Sequence, residues 1–493
     1  MATQSSNRTQ ITQVIETVLG TTPTTPRMRT KIVTGESLTY APSFADSAEL
    51  RSDRMTSDSI LVGLDSGGSL NWEFHYPVPN SPEDADIQSA FYNLWTNAPV
   101  RDNDGTPDSV ITDIGTTANT LTCTTGAAFV LGHMVRTTGF ATAANNTVTK
   151  VTTGGTTSYV ATGAGYVAEA VPPGTARAKV VGFQGAAADI TATATGLAST
   201  TLDFTTLGLI PGQWIKIGGS LTGNKFATAA CNAKARITAI AAHALTCDNL
   251  PSGWTADAGT GKTISVWFGD QIKNGVTTIS QSIERGYLAQ VVPSYILQPG
   301  MVASQWQISL TAKQIITGTT TYMGMAGSQS TATVDASPDP APSSAGYPQF
   351  AASANVGRVA ENGVTLTSPN WCTAMDITIA NNTSAVESID AVGPQDLVGQ
   401  ECTITGNSTT IFGDNSILTR FFAGTPTSLS AALQKGSQMV ILSVPRATYT
   451  GGGSPNATGK NQLVTAKFSW KASKDETLTN AIICMDRFEY FEN

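Results

Sequence analysis

Charge is what this chain has least of. Only 13% of its 493 residues are Asp, Glu, Lys or Arg, about half the usual share, and they include no basic run. That speaks against tight nucleic-acid binding through neutralised phosphates. Cysteine is sparse as well, and Cys123, Cys231, Cys247, Cys372, Cys402 and Cys484 include no CxxC pair. Their scatter argues against zinc and against a dense disulfide scaffold, and it fits a reduced, cytosolic origin. No apolar run approaches the ~18 residues of a membrane span. Residues 1–10 are polar and lack the apolar core of a secretory signal.

Motifs for chemistry are missing too. The histidines number three, His75, His133 and His243, lie far apart, and read as structural or surface residues. No GxSxG elbow anchors a triad. Gly259-Thr260-Gly261-Lys262-Thr263 looks like the end of a phosphate loop, but Ala256 stands where the loop needs glycine. Ile264 to Phe268 then reads as a strand, not the helix whose amides would converge on phosphate. Asp102-Asn103-Asp104-Gly105 lacks the further carboxylates of a calcium loop and reads as a solvated turn. The expectation is a protein that is not an enzyme, with no cofactor and no metal.

Thr, Ala, Gly and Ser dominate instead, and small β-compatible residues with few charges suit an all-β assembly protein. The length predicts roughly three to four domains. In the middle, two segments are diverged copies of one another, about Leu121–Gly185 and Leu202–Asp270. Each passes a Gly-centred turn (Gly132 or Gly212), continues Met134-Val135-Arg136 or Trp214-Ile215-Lys216, and closes on a strand ending at Phe183 or Phe268. Such spacing marks a modular unit. Residues 1–108 carry 7 basic and 14 acidic side chains, residues 109–275 carry 10 and 7, and the remainder 11 and 15. The acidity thus lies in the flanks.

Ile11, Val14, Ile15, Val18 and Leu19 fall on one face of a helix over 8–19, which Thr21 to Pro26 ends. That helix docks either on its own domain or on a neighbour. Strands follow at Lys31-Ile32-Val33, Ser59 to Leu64 and Ser69 to His75, broken at Asp65-Ser66-Gly67-Gly68. Ser81 as N-cap, Pro82 in the first turn and Asp84 three after the cap predict a helix, with Ile87, Phe91, Leu94 and Trp95 as one buried stripe. Residues 327–348 read as a long loop. Period-two alternation at Met375-Ile377-Ile379, Val440-Leu442-Val444 and Val464 to Trp470 predicts half-buried strands. The division expected is an arm over 1–26, one domain split into 27–110 and 275–493, and two inserted β-modules over 111–187 and 188–274.

The flanks resemble the tail tube (major tail) proteins of long-tailed bacteriophages. The likeness rests on Ile32-Val33-Thr34-Gly35-Glu36-Ser37-Leu38, Glu49 to Met55, Gly67-Gly68-Ser69-Leu70 and the helix ending at Trp95. C-terminally it continues through Ser282 to Tyr287, Gly300-Met301-Val302, Ala374 to Asn382, Phe421-Phe422 and Leu442 to Arg446. It covers about residues 27–110 and 275–493. The resemblance implies a mainly β subunit, a β-sandwich or barrel with one flanking helix, forming homohexameric rings that stack into a tube. Its implied partners are further copies of itself, the tape measure, tail tip and terminator proteins, and genomic DNA passing an acidic lumen without specific binding. The implied place is the virion, after assembly in host cytoplasm. Ile11, Val14, Ile15, Val18, Asp46, Glu49 and Asp53 are the expected contacts between subunits or rings, along with the 327–348 loop. The inserted modules are expected outside the tube and dispensable for it. A β-modular phage adhesin or a capsid decoration protein is the alternative.

Overall fold

The structure is a computed structural model that describes residues 3–96, 110–115, 119–162, 165–340, 348–453, 455 and 459–492. It is mainly β, with 46% of residues in strands and 7% in helices. Two large sheets divide it, one of 18 strands built from both ends of the chain and one of 12 strands between residues 111 and 267.

The strands of the larger sheet are β1 (Thr9–Ile15), β2 (Arg29–Lys31), β3 (Gly35–Glu36), β4 (Thr39–Ala45) and β5 (Ile60–Glu73), followed by helix α1 (Pro82–Phe91). After the central residues come β6 (Asp270–Lys273), β7 (Ser280–Tyr287), β8 (Ser294–Thr311), β9 (Thr317–Gly324) and β10 (Ser328–Ser330). Then follow β11 (Val356–Glu361), β12 (Val364–Thr365), β13 (Cys372–Ala380), β14 (Thr403–Ile411) and helix α2 (Ser416–Ala423). The last strands are β15 (Thr427–Lys435), β16 (Gln438–Gly452), β17 (Thr465–Ala472) and β18 (Cys484–Phe488). The alternation read in the sequence holds in β13, β14 and β17, whose core residues include Met375, Ile377, Ile379, Ile404, Phe468 and Trp470.

Two sequence expectations fail locally. Thr9–Ile15 is a strand, not a helix, paired with β2 on one side and β7 on the other. Ile11, Thr12, Gln13 and Val14 are all buried, and a strand covered on both faces loses its period of two. Its apolar spacing then mimics a helix by accident, while its Thr, Ile and Val content favours the strand. Likewise Asp65 to Gly68 does not break a strand, because β5 runs unbroken for 14 residues. Gly68 takes φ +122, and a Cβ there would meet the Ser37 carbonyl at 2.3 Å. The glycine marks a close crossing of backbones rather than a turn.

Helix α1 starts as predicted, with the Ser81 hydroxyl accepting from the Asp84 amide at 3.2 Å. Its burial differs, since every residue from Pro82 to Phe91 is covered, while Leu94 beyond it is exposed. Its polar residues are therefore anchors. Asp86 binds Lys31, accepts from Tyr322 Oη at 2.6 Å and from Gln13 Nε2 at 3.0 Å. Asp84 pairs with Arg487 at 2.6 Å, and Arg487 also reaches Asp270 at 2.9 Å and stacks 4.1 Å from the Trp95 ring centre. Burial pushes the Asp84 carboxyl up against the pull of Arg487. Burial acts the same way on Asp270, but Lys179 and Arg487 together hold that carboxyl below its ordinary value.

The larger sheet contains one topology twice. The first copy is the hairpin β1–β2, the pair β4–β5, α1, and the three-stranded meander β7–β8–β9, with β1 on β7 and β9 on β5. The second is β11–β12, β13–β14, α2 and β15–β16–β17, with β11 on β15 and β17 on β14. Even the bulges correspond. β7–β8 shifts register after Gln281 and β15–β16 after Thr427, while β8–β9 shifts after Ala303 and β16–β17 after Tyr449, both displaced by 146 residues. Gly68 opposite Tyr322 matches Gly406 opposite Trp470. The helices end alike on left-handed caps, Tyr92 and Gly424.

The smaller sheet is symmetric about the pairing of 177–184 with 265–267. Outward on one side lie 133–138, 148–153, 158–162, 120–123 and 111–114, and on the other 214–217, 234–241, 244–248, 196–198 and 191–193. Gly132 and Gly212 both hold left-handed turns, at φ +91 and +89. Asn146 clasps Phe140 through both its side-chain amide groups, as Asn232 clasps Phe226. Both copies sit between α1 and β6. Only Gly424 to Pro426 separate the equivalent elements α2 and β15.

The two sheets dock tightly. Met134, Val181, Trp214 and Trp267 pack on Ala432, Met439, Ile441, Phe488 and Phe491. Lys179 binds Asp270 at 2.7 Å, and Asp486 accepts from the Trp214 amide at 3.2 Å and from Gln271 Nε2 at 3.0 Å. Deleting residues 111–267 alone would expose that apolar face, so dispensability requires polar replacements at Met439 and Ile441 as well.

Two outcomes follow for the unassembled chain. Arg487→Met strands two buried carboxylates and should cost about 3–5 kcal/mol in equilibrium urea unfolding. Burial raises the Asp486 carboxyl to about 7, whereas an unfolded one titrates near ~3.9. Folding therefore favours the protonated form, and this group's contribution is complete at low pH and fades as pH rises towards 7. Asp486→Asn should flatten the stability profile across that window, as read by thermal melts at stepped pH.

Candidate assembly surfaces

A continuous path of eight strands runs β4–β5–β9–β8–β13–β14–β17–β16. Its inner face carries the aromatic core, with Trp72 stacked on Trp306 at 5.6 Å. Its outer face is hydroxyl and amide. Ser69 bonds Thr321 at 3.0 Å, Thr319 donates to Asn71 at 2.8 Å, Ser469 donates to Asn407 at 2.8 Å, and Asn407 Nδ2 donates to Asp376 at 3.2 Å. Along this face Glu73 and Asp376 stand against Lys467 and Lys471. The acidity of the flanks is elsewhere, in buried Asp84, Asp86, Asp270 and Asp486 and at the exposed tip joining β4 to β5.

Both ends of the path are open. β4 pairs with β5 alone. β16 keeps β17 on one side to Gly452, but β15 leaves its other side after Ala447. Among the described residues nothing pairs with that edge of Thr448–Gly452. Unpaired strand edges seek partners. Apolar side chains lie exposed beside these edges: Phe44 at 60%, Ile60 at 60% and Val62 at 58% on the β4–β5 hairpin, and Phe422 at 74% on α2.

The contacts expected from sequence divide. Ile11 and Val14 lie in the chain's own core, Ile15 is half-buried opposite Gln281, and Val18 is exposed. Asp46, Glu49 and Asp53 sit together on the exposed hairpin tip, where Ser59 donates to Asp46 at 2.5 Å and Arg51 pairs with Asp53 at 2.7 Å. The 327–348 segment folds back on its own domain. Val334 donates to Glu284, and Asp339 exchanges backbone bonds with Met28 and Thr30, while residues 341–347 lie outside the described residues. Phe44, Ile60, Val62 and Phe422 were missed because apolar residues in a strand or helix read as core.

The other sequence features take structural places. His133 is buried, receives the Val130 amide on Nδ1 and faces the Leu207 carbonyl at 3.3 Å, and burial lowers it to about 4. His243 Nδ1 faces the Leu202 carbonyl at 3.0 Å. Gly259–Thr263 leads into the strand Ser265–Trp267 rather than a helix. Asp102–Gly105 lies outside the described residues. No group of three or more metal-ligating side chains converges among the described residues, and no described helix is long and apolar enough to cross a membrane.

The chain matches the family profile described as phage tail tube protein over residues 6–213 and 216–472. It belongs to the phage tail tube protein family. No curated protein matches the chain. The match extends beyond the flanks that carried the resemblance, taking in β1 and almost all of the central modules. For a tail tube protein, the open edges and exposed hairpin of this fold are assembly features rather than liabilities.

Charging the hairpin tests this. Leu61→Lys combined with Phe44→Asp should leave the unfolding midpoint of the unassembled chain nearly unchanged, since exposed changes usually stay within about 0.5 kcal/mol. Assembly, followed by size-exclusion chromatography, should be lost.

Proposed function

We propose that this chain is the structural subunit of a phage tail tube, closing into rings that stack around a DNA-conducting channel. The observation that carries this reading is the eight-stranded path with two open edges and one polar face, in a chain that matches the tail tube family across both halves. Closing a sheet on itself abolishes edges that otherwise invite uncontrolled pairing. The polar face would line the channel. Its hydroxyls and amides are bonded to one another, and it offers few cations, so passing phosphates find little to hold them. Near-neutrality replaces the acidic lumen expected from the flanks' net charge, because most of that charge is spent in the core and on the hairpin tip.

The β4–β5 hairpin and its acidic tip would reach between rings, which suits its exposed apolar side chains. The central modules would face outward. They dock through Met439, Ile441 and Phe488, none of which belongs to the polar face.

Electron microscopy of the purified protein decides between hollow tubes or rings, which support this reading, and isolated rods or globules, which sink it. The lumen assignment has its own check. Asn71→Lys with Thr321→Lys should permit assembly yet make tubes retain short duplex DNA in a strongly salt-dependent manner. Unaltered retention at low salt would place the polar face elsewhere.

A further inference from the structure

The chain already contains one interface between tube modules, and its geometry shows what the next must look like. From the internal duplication we infer that a ring is closed by three copies of this chain, not six, with β4 of one copy paired to the end of β16 of the next. The inference rests on the tube reading above and supplies its subunit count.

The internal joint is explicit. The first module's long strand β8 pairs through Gln305–Thr311 with β13 of the second. Just past β13, Asn381 Nδ2 donates to the Ala90 carbonyl at the end of α1 at 3.0 Å, and Thr383 bonds Tyr92 Oη at 2.9 Å. Each partner has a counterpart at the opposite end of the chain. Gln305 corresponds to Gly451 by the bulge positions in β8 and β16. Ala374 and Ala380 correspond to Gly35 and Ala41, because β3 and β4 lie on β5 in the register that β13 takes on β14. The counterpart edges are the two left open, β4 and Thr448–Gly452. The same joint repeated between chains satisfies both, head to tail, and such contacts close by rotation.

The flanking contact repeats as well. Ala90 corresponds to Phe422 when the caps Tyr92 and Gly424 are aligned, and Asn381–Thr383 correspond to Pro42–Phe44. Phe44 and Phe422, both largely exposed in one chain, would then meet between chains. This accounts for α1 being wholly covered while α2 leaves an aromatic ring in solvent.

Size fixes the number. Three chains of eight path strands close a barrel of 24. With strands about 4.8 Å apart and tilted by about 40°, its backbone diameter is roughly 50 Å. Six chains would give roughly 100 Å by the same relation. The six positions implied by the family resemblance are filled by two modules from each of three chains.

The test is a paired-cysteine variant, Ala41→Cys with Gly451→Cys, assembled into tubes and oxidised. A Cβ at Gly451 meets nothing closer than Ser469 at 3.7 Å, and Ala41 is exposed, so both substitutions are compatible with the fold. The covalent ladder on denaturing gels should end at three chains, and released rings should weigh three times 51.2 kDa in native mass spectrometry. Either single-cysteine variant should give no ladder. Tubes whose ladder runs to six, or which do not cross-link, overturn the inference and leave the tube reading standing. Failure to form any ring or tube, in the unsubstituted protein as well, overturns both.

Discussion

Backbone hydrogen bonding at strand edges governs this molecule more than any side chain does. A strand-rich chain must pair, cover or blunt every edge it exposes, and most edges here are paired internally. Long strands do this by serving two neighbours in succession. β8 takes β7 and then β13 along one side, and β16 takes β18 and then β17. The edges left over are few and lie at opposite ends of one path. That concentration gives the fold its direction.

The helix α1 locks the arrangement. It is buried on all sides, and its acidic residues receive Lys31 from the N-terminal hairpin and Arg487 from the last strand. Through Asp270 the same arginine meets Lys179 of the central modules. A buried ionic cluster adds little net stability over an apolar core, but breaking it is expensive. Its effect is to make the first strand, the last strand and the inserted sheet adopt one mutual position or none.

How much of this was legible in the sequence depended on whether side chains or backbone carried the signal. The central duplication shows in the residues because its turns need particular chemistry, glycine at 132 and 212 and asparagine at 146 and 232. Ser81 and Pro82 announce α1 for the same reason. The duplication of the tube domain left almost no such trace. Ser280–Tyr287 and Thr427–Lys435 hold equivalent strands with dissimilar residues, since pairing and bulges are matters of backbone register. Ile11 and Val14 misled because double-sided burial erases alternation. The net charge of the flanks misled as well, for composition does not say which carboxylates end up beside Arg487 or Lys31.

The central modules occupy the connection between helix and meander in the first tube copy, and the same connection in the second copy is three residues long. A ring of such chains would be dressed at every other position and bare between. Its exterior would have half the rotational symmetry of its bore, so whatever grips the tube from outside meets alternating ridges and grooves, while whatever travels through it meets a nearly uniform wall.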